Sequence, residues 1–518
     1  MCVLKLRNTG SCFLKILKFI FGIPFSISNQ QKSEDFNQGM DSSFVILFSC
    51  LAASLIVIVG IFSSKKDDVS RTVVWILITV LVSIATINIF VNFFLIYRHR
   101  SRWISLRRQT DASSKMQLGF LWAFALGLLL RTSLTIGTNI ICITVDTLTK
   151  DLGRIVTSSV MVVFMLSQIA FITYMKNLKF CRSIWINYSI GIILLANASI
   201  WFQFATQGTA NILHKHRINS TTVNADVRNT SFNYCFTHSK IFHFTSTLRP
   251  FLFQISLDFL LLATLFILKT LPTSTMSDTS SMENVQSIDE LQATDTVNKK
   301  TCVVSLVCGI IIQFPFITLG LIIRFVHFEN VTTLREIYQI TDIIQKVFML
   351  LMTLVAFLRI GERSKESRDW KLSFSDITLL CCWVGKIVIH TFGFFAATNC
   401  LRYELLLGSK SLISLLFYFY QTLYILISKR SSESSLKTNN MSVFIHIVLF
   451  TLNISQWTIT IFILTNQGTY VLSEGTECLF MNKNVWVMLQ YVIIPFTLYY
   501  DFQSAMYFAS IFPNFNRP

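Results

Sequence analysis

The chain has 518 residues, of which 53% are hydrophobic and only 14% charged, and it contains 47 Phe. That balance excludes a soluble globular protein, because no single core could hide so much apolar surface. The net charge of +17 does not indicate nucleic acid either: no soluble segment interleaves a basic patch with exposed aromatics, and Lys and Arg fall mainly in short loops, where they orient helices against anionic lipid.

Residues 1–42 form a predicted cytoplasmic tail. Lys5, Arg7, Lys15 and Lys18 alternate with apolar residues at helical spacing, and Lys15 and Lys18 interrupt what would be the apolar core of a signal peptide, so an amphipathic helix on the membrane surface is expected. Twelve apolar stretches follow, at about 43–63, 73–97, 117–144, 153–175, 183–206, 249–271, 301–325, 335–359, 374–399, 402–428, 442–466 and 485–512. Each is long enough for a hydrocarbon core of roughly 30 Å, which takes about 20 residues of helix. The expected fold is an all-α polytopic membrane protein of twelve transmembrane helices.

Loops after even-numbered segments are strongly basic: Arg98, Arg100, Arg102, Arg107 and Arg108 after the second, Lys176, Lys179 and Arg182 after the fourth, Arg359, Arg363, Lys365, Arg368 and Lys371 after the eighth. The positive-inside rule places these loops, and with them both termini, in the cytoplasm. Residues 272–300 are Ser/Thr-rich, acidic and poor in aromatics, which marks a solvated cytoplasmic linker. The linker divides the chain into a six-helix half at 43–271 and another at 301–512, and a short tail occupies 513–518.

The outside loops then carry the glycosylation sequons at Asn219, Asn229 and Asn330, although similar triplets at Asn187, Asn197, Asn440 and Asn453 fall in or near apolar segments or on the inside. Cys235 and Cys478, both in outside loops, are a candidate disulfide. Other cysteines, such as Cys142, Cys308, Cys381 and Cys382, read as small packing residues, and no CxxC pair argues for a metal. Five of the eight histidines, His214, His216, His238, His243 and His327, lie in predicted outside loops. Their protonation near pH 6 would add positive charge outside the membrane, which makes them candidate sensors of extracellular acid.

Polar groups within the spans are costly in lipid and face protein or water. The candidate ion pathway, or intramembrane polar network, comprises Arg131, Gln168, Asn197, Gln254, Asp258, Lys386, His390, Gln421, His446, Asn453, Asp501 and Gln503. Lys386 and His390, four apart, share a helix face. Arg131 with Asp258 or with Asp501 would make a neutral buried pair. The amides donate and accept without changing charge, so they hold water or bind helices together but carry no proton step themselves. No Gly-rich phosphate loop, no His-Glu-x-x-His and no soluble domain suggest an enzyme, a cofactor or a metal.

The six-plus-six plan is shared by major facilitator transporters, but their Gly and Asp-Arg motif is missing from RHRSRWISLRRQTDASSK after the second segment. A closer likeness lies in the last segment, VIIPFTLYYDFQSAMYFASIF, in LLANASIWF of the fifth, matching at Asn197 and Trp201, and in RPFLFQISLDFLLLATLF of the sixth, matching at Pro250 and Phe251. With Gln168, Gln421 in FYQTLYIL, and Asn453 with Trp457 in the same order, the chain resembles the otopetrin family. The resemblance implies a proton-selective channel of two related halves, a homodimer in the plasma membrane, gated by external acid, with protons and membrane lipid as its partners. At several of the family's titratable positions this chain differs: Ile192, Gln254, Asp501, Gln503, Ser414 and Ile463 stand there. Asp258, one turn after Gln254, and Asp501 are the acids expected to serve instead. The alternatives are a secondary transporter on the same plan and a non-conducting otopetrin-like partner subunit.

Overall fold

The computed structural model describes residues 68–98, 104–106, 112–141, 148–176, 178–180, 184–220, 240–270, 299–325, 331–361, 374–399, 405–429, 440–466, 479 and 483–510. Within these lie eleven helices and two short strands: α1 Asp68–Arg98, β1 Ile104–Leu106, α2 Ala112–Ile141, α3 Leu148–Met175, β2 Leu178–Phe180, α4 Ile184–Ser220, α5 Lys240–Lys269, α6 Lys299–Phe325, α7 Val331–Gly361, α8 Phe374–Asn399, α9 Leu405–Ser428, α10 Asn440–Asn466 and α11 Lys483–Ser510. Ten of them, α1 to α10, are long and apolar enough to cross a membrane. The chain is a multi-pass membrane protein. The first predicted segment, both termini, the linker and the N-terminal amphipathic stretch lie outside the described residues.

The apolar runs form helices because lipid offers the backbone no other hydrogen-bond partner, and their polar side chains are answered locally. Thr79, Ser83, Thr86, Thr132, Thr353 and Thr422 each donate to the carbonyl four residues earlier, which hides a hydroxyl that lipid cannot solvate. Pro315 inside α6 removes one backbone donor, and Thr318 bonds the neighbouring carbonyls of Phe314 and Pro315. Large apolar side chains face outward in quantity, Ile84, Ile87, Phe90 and Phe94 on α1 and Ile310, Ile311 and Phe314 on α6 among them, as lipid-facing surfaces require. Asp376 in the first turn of α8 meets Lys429 just past α9 at 2.5 Å, each charge placed at the helix end whose dipole favours it.

Five helices of the first half close a ring through the contacts α1–α3, α3–α2, α2–α5, α5–α4 and α4–α1. The second half repeats it as α7–α9, α9–α8, α8–α11, α11–α10 and α10–α7. Between the rings, α5 and α11 touch along a seam, α11 also meets α2 and α4, and α5 meets α8 and α10 in the matching way. Such matched contacts are the mark of an internal repeat. Asn197 and Trp201 on α4 share the spacing of Asn453 and Trp457 on α10, as the repeat requires. Helix α6 lies outside its ring against α10, where Gly309 stands opposite Thr451; small residues allow this close approach.

Three connections gather at one end of the bundle. β1 pairs antiparallel with β2, Ser105 opposite Lys179, and the Phe180 amide donates to the Thr270 carbonyl at the end of α5 at 3.1 Å. β1 and β2, which follow the second and fourth predicted segments, and Thr270, near the end of the sixth, therefore share one side, as alternating passage demands. The short ribbon is an addition to the all-helical expectation. A second departure concerns the predicted outside loop from the fifth to the sixth segment. Helix α4 continues past the apolar run to Ser220 and α5 begins at Lys240, so His214, His216 and Asn219, and at the other edge His243, lie on helical backbone and not in a loop. Hydropathy marks where lipid ends, and a helix of polar residues continues into water without a break.

Candidate functional site

Three polar regions occupy the interior: one in each ring and one at the seam. In the first ring Asn92 of α1 donates to Ser189 of α4 at 2.7 Å, and Thr79 of α1 bonds Thr157 of α3 at 2.7 Å. Asn197 of α4 reaches Thr264 of α5 only at 3.4 Å, and its carbonyl oxygen has no partner among the described residues. Gln168 of α3 is fully buried with neither amide atom hydrogen-bonded. Arg131 of α2 sets its guanidinium over the rings of Phe204 and Phe253, 3.9 and 5.1 Å from their centroids, a cation–π arrangement that spreads the charge over aromatic faces.

Ion pairs dominate the second ring. Lys386 of α8 meets Asp501 of α11 at 2.8 Å, and Lys410 of α9 meets Asp342 of α7 at 3.4 Å, all four side chains nearly excluded from solvent. Lys346 of α7 donates to the Tyr418 hydroxyl of α9 at 2.8 Å. Tyr418 is the hub: the ammoniums of Lys346 and Lys386 are both 4.7 Å from its ring centroid, and His390 stacks on it at 5.4 Å. Deeper in the ring the Tyr500 hydroxyl bonds Thr422 at 2.8 Å. Gln421 of α9 donates to Asn453 of α10 at 2.9 Å, closing the amide pair whose counterpart, Gln168 and Asn197, has no such bond. Tyr424 bonds the Nε2 of His446 at 2.6 Å, and Nδ1 lies 2.6 Å from the Ser442 carbonyl. A carbonyl only accepts, so Nδ1 carries a proton there and, in the neutral ring, Nε2 accepts from the tyrosine.

At the seam stands Asp258 of α5, fully buried. Its Oδ2 accepts from the indole nitrogen of Trp457 on α10 at 3.0 Å, and its Oδ1 has no hydrogen-bond partner among the described residues. Cys382 of α8 and Tyr499 of α11 lie within electrostatic range. Around it Phe120, Phe124, Trp457 and Phe502 pack edge-on and tilted, with centroids 5.2 to 6.5 Å apart. Gln254, one turn earlier on α5, is also buried, its oxygen without a partner.

Sequence-expected residues thus divide among three places. Lys386, His390 and Asp501 come together around Tyr418; Gln421 meets Asn453; Gln503 turns to Ser375 of α8 at 2.8 Å. Neither neutral pair expected for Arg131 forms the ion pair: Asp501 closes on Lys386 and Asp258 on Trp457. The side chains of His214, His216, His243 and Asn219, and all of His238, His327, Asn229, Asn330, Cys235 and Cys478, lie outside the described residues. Asp342, Lys346, Lys410 and Tyr418 were missed. A signal for the first two was present, since a carboxylate and an ammonium four apart within a span share one helix face.

A family model, Otopetrin, matches residues 205–502, which is more than half of the chain and runs from the end of α4 through the seam and the second ring. The chain belongs to the otopetrin family. Within this otopetrin the matched stretch contains Asp258, Trp457 and the whole ion-paired cluster. No curated protein matches the chain in sequence. Family membership and the bundle of long apolar helices support an ion-channel role at the level of the family.

Proposed function

We propose that this otopetrin conducts protons across the plasma membrane as a homodimer opened by extracellular acid, and that Asp258 is the group in the seam that takes up and hands on the proton. The observation that carries the reading is the environment of Asp258. Its carboxylate is buried, held through one oxygen by Trp457, open at the other, and bonded to no basic side chain among the described residues. A carboxylate so held accepts a proton on Oδ1 and releases it without moving the backbone. By contrast, the acids of the second ring are bound to lysines, and the described polar groups inside the first ring are amides, hydroxyls, Arg131 and, at its end, Lys269, none of which exchanges a proton easily. Gln254, Gln168 and Asn197 retain unmet hydrogen-bonding capacity, which suits them to orient water beside the path. Candidate histidines and sequons outside the membrane belong to the same proposal, as acid sensors and glycosylation sites.

Whole-cell recording during an external pH drop tests it. Expressing cells are expected to show an inward current with cytosolic acidification, and Asp258→Asn, at equal surface abundance, to lose at least about tenfold of that current. Surface-expressed wild-type protein with neither current nor acidification would refute the proposal.

A further inference from the structure

Among the described residues three ammonium groups are buried around Tyr418 in the second ring, and two carboxylates answer them; the ring's other buried acid, Asp376, is taken by Lys429. Asp342 pairs with Lys410 and Asp501 with Lys386, which leaves Lys346, 1% exposed, with a neutral acceptor, the Tyr418 hydroxyl. The faces of Phe417 and Tyr418, 5.1 and 4.7 Å from its nitrogen, spread the charge but do not cancel it. Counted as ions, three against two, the five groups hold a surplus of one positive charge. An uncompensated buried charge is among the costliest arrangements a protein interior can hold.

The position of the surplus is defined by the helices. Asp342 on α7 stands opposite Lys410 on α9, and four residues further along each helix, in the same direction, come Lys346 and Ser414. Lys346 also reaches Tyr418, one turn beyond Ser414, so α7 and α9 run side by side with Lys346 and Ser414 level. Ser414 is fully buried and its hydroxyl has no hydrogen-bond partner among the described residues. Lys386 is brought to the same place by Tyr418, whose ring it shares with Lys346. The described residues of the first ring form no such site. Thr157, eleven residues before Gln168 as Lys410 is before Gln421, bonds Thr79 across α1 and α3, where the second ring has the Lys410–Asp342 ion pair.

We propose that the second ring binds one small monovalent anion of the halide class between α7, α8 and α9, held by the Lys346 ammonium and the Ser414 hydroxyl, with Lys386 and Lys410 adding to the field. Lys346 has three N–H donors and gives one to Tyr418; Ser414 has an O–H with no acceptor; both are the groups that a spherical anion recruits, and its charge completes the count. The anion neutralises the ring and ties α7 to α9. Its ligands, Lys346 and Ser414, are not among the groups that hold Asp258, so it is a structural or regulatory ligand and not the conducted ion.

The test uses full-length protein purified in detergent micelles, with thermal unfolding followed by Trp fluorescence as sodium gluconate is replaced by sodium chloride at constant ionic strength. The wild-type midpoint is expected to rise saturably with chloride, and with bromide in the same way. Lys346→Met should abolish the rise. Ser414→Asp, which places a fixed negative charge level with Lys346, should abolish it too while raising the midpoint in gluconate alone. A wild-type midpoint indifferent to chloride would overturn the proposal; a chloride response that persists in either variant would overturn it as well. The wild-type titration decides the matter even if a variant fails to fold, and since the readout is unfolding it is independent of whether the chain conducts.

Discussion

Asp501→Asn removes a carboxylate that is 1% exposed and 2.8 Å from the Lys386 ammonium. At an effective dielectric constant near 20, the direct attraction across that gap is about 6 kcal/mol, and much of it offsets the cost of taking both ions out of water. Breaking a buried pair from one side costs about 3–5 kcal/mol, because the remaining ion is left uncompensated. The structure makes the two sides unequal. Without Asp501 the cluster around Tyr418 holds Lys346, Lys386 and Lys410 against Asp342 alone, whereas Lys386→Met leaves two lysines against two acids, with Lys346 within electrostatic range of Asp501. Asp501→Asn is therefore expected near the top of that range, and Lys386→Met at about 1–2 kcal/mol. For a chain of this size 1 kcal/mol corresponds to roughly 1 °C in unfolding midpoint, so detergent-purified variants followed by Trp fluorescence should lose about 4–5 °C and about 1–2 °C respectively. The double variant should lie above Asp501→Asn. Equal losses in the two single variants, or a double variant less stable than Asp501→Asn, would refute the charge count on which the reasoning rests.

Trp457→Phe removes the indole N–H that donates to Asp258 Oδ2 and is expected to cost about 1–3 kcal/mol, the range for leaving a buried acceptor unsatisfied; an unchanged midpoint would mean that the indole does not hold the carboxyl group. Gly309→Ala places a methyl group against the Thr451 side chain, so α6 must move away from α10 at a cost of about 1–3 kcal/mol, and adding Thr451→Ala should recover part of it; loss without recovery would separate the effect from this contact. Cysteines in place of Ser105 and Lys179, which face each other across the β1–β2 ladder, should cross-link under mild oxidation, with the joined peptides read by mass. Failure to cross-link, or labelling of the two positions from opposite sides of the membrane, would contradict the shared face.

The spans were legible because twenty apolar residues in a row have few other uses: the ninth predicted segment and α8 share both ends, 374 and 399, and most others agree to within five residues. The exceptions are α4 and α5, which run on into water where hydropathy is silent about helix. The site was legible only in part. Lys386, His390 and Asp501 announce themselves as intramembrane charges, but nothing in residue order says that Asp501 turns to Lys386 while Asp258, on the matching helix of the other ring, turns to an indole. Those choices are set by which helix faces meet at the seam and inside each ring. Asp342 and Lys410 lie near the ends of their spans, where a charge reads as an interface anchor, and only the parallel packing of α7 on α9 reveals that they pair. The difference between Gln421, bonded to Asn453, and Gln168, which is not bonded, is likewise invisible in sequence, since the same two residue types occupy both rings.

Proton selectivity is the claim on which the account turns, and the reversal potential measures it most directly. With internal pH fixed and external pH stepped under whole-cell clamp, the reversal potential of the wild-type current is expected to move by about 59 mV per pH unit, the slope for a single transferred charge, and to ignore replacement of sodium or chloride. A reversal potential that stays put when external pH changes, and moves instead with sodium or chloride, would contradict the account.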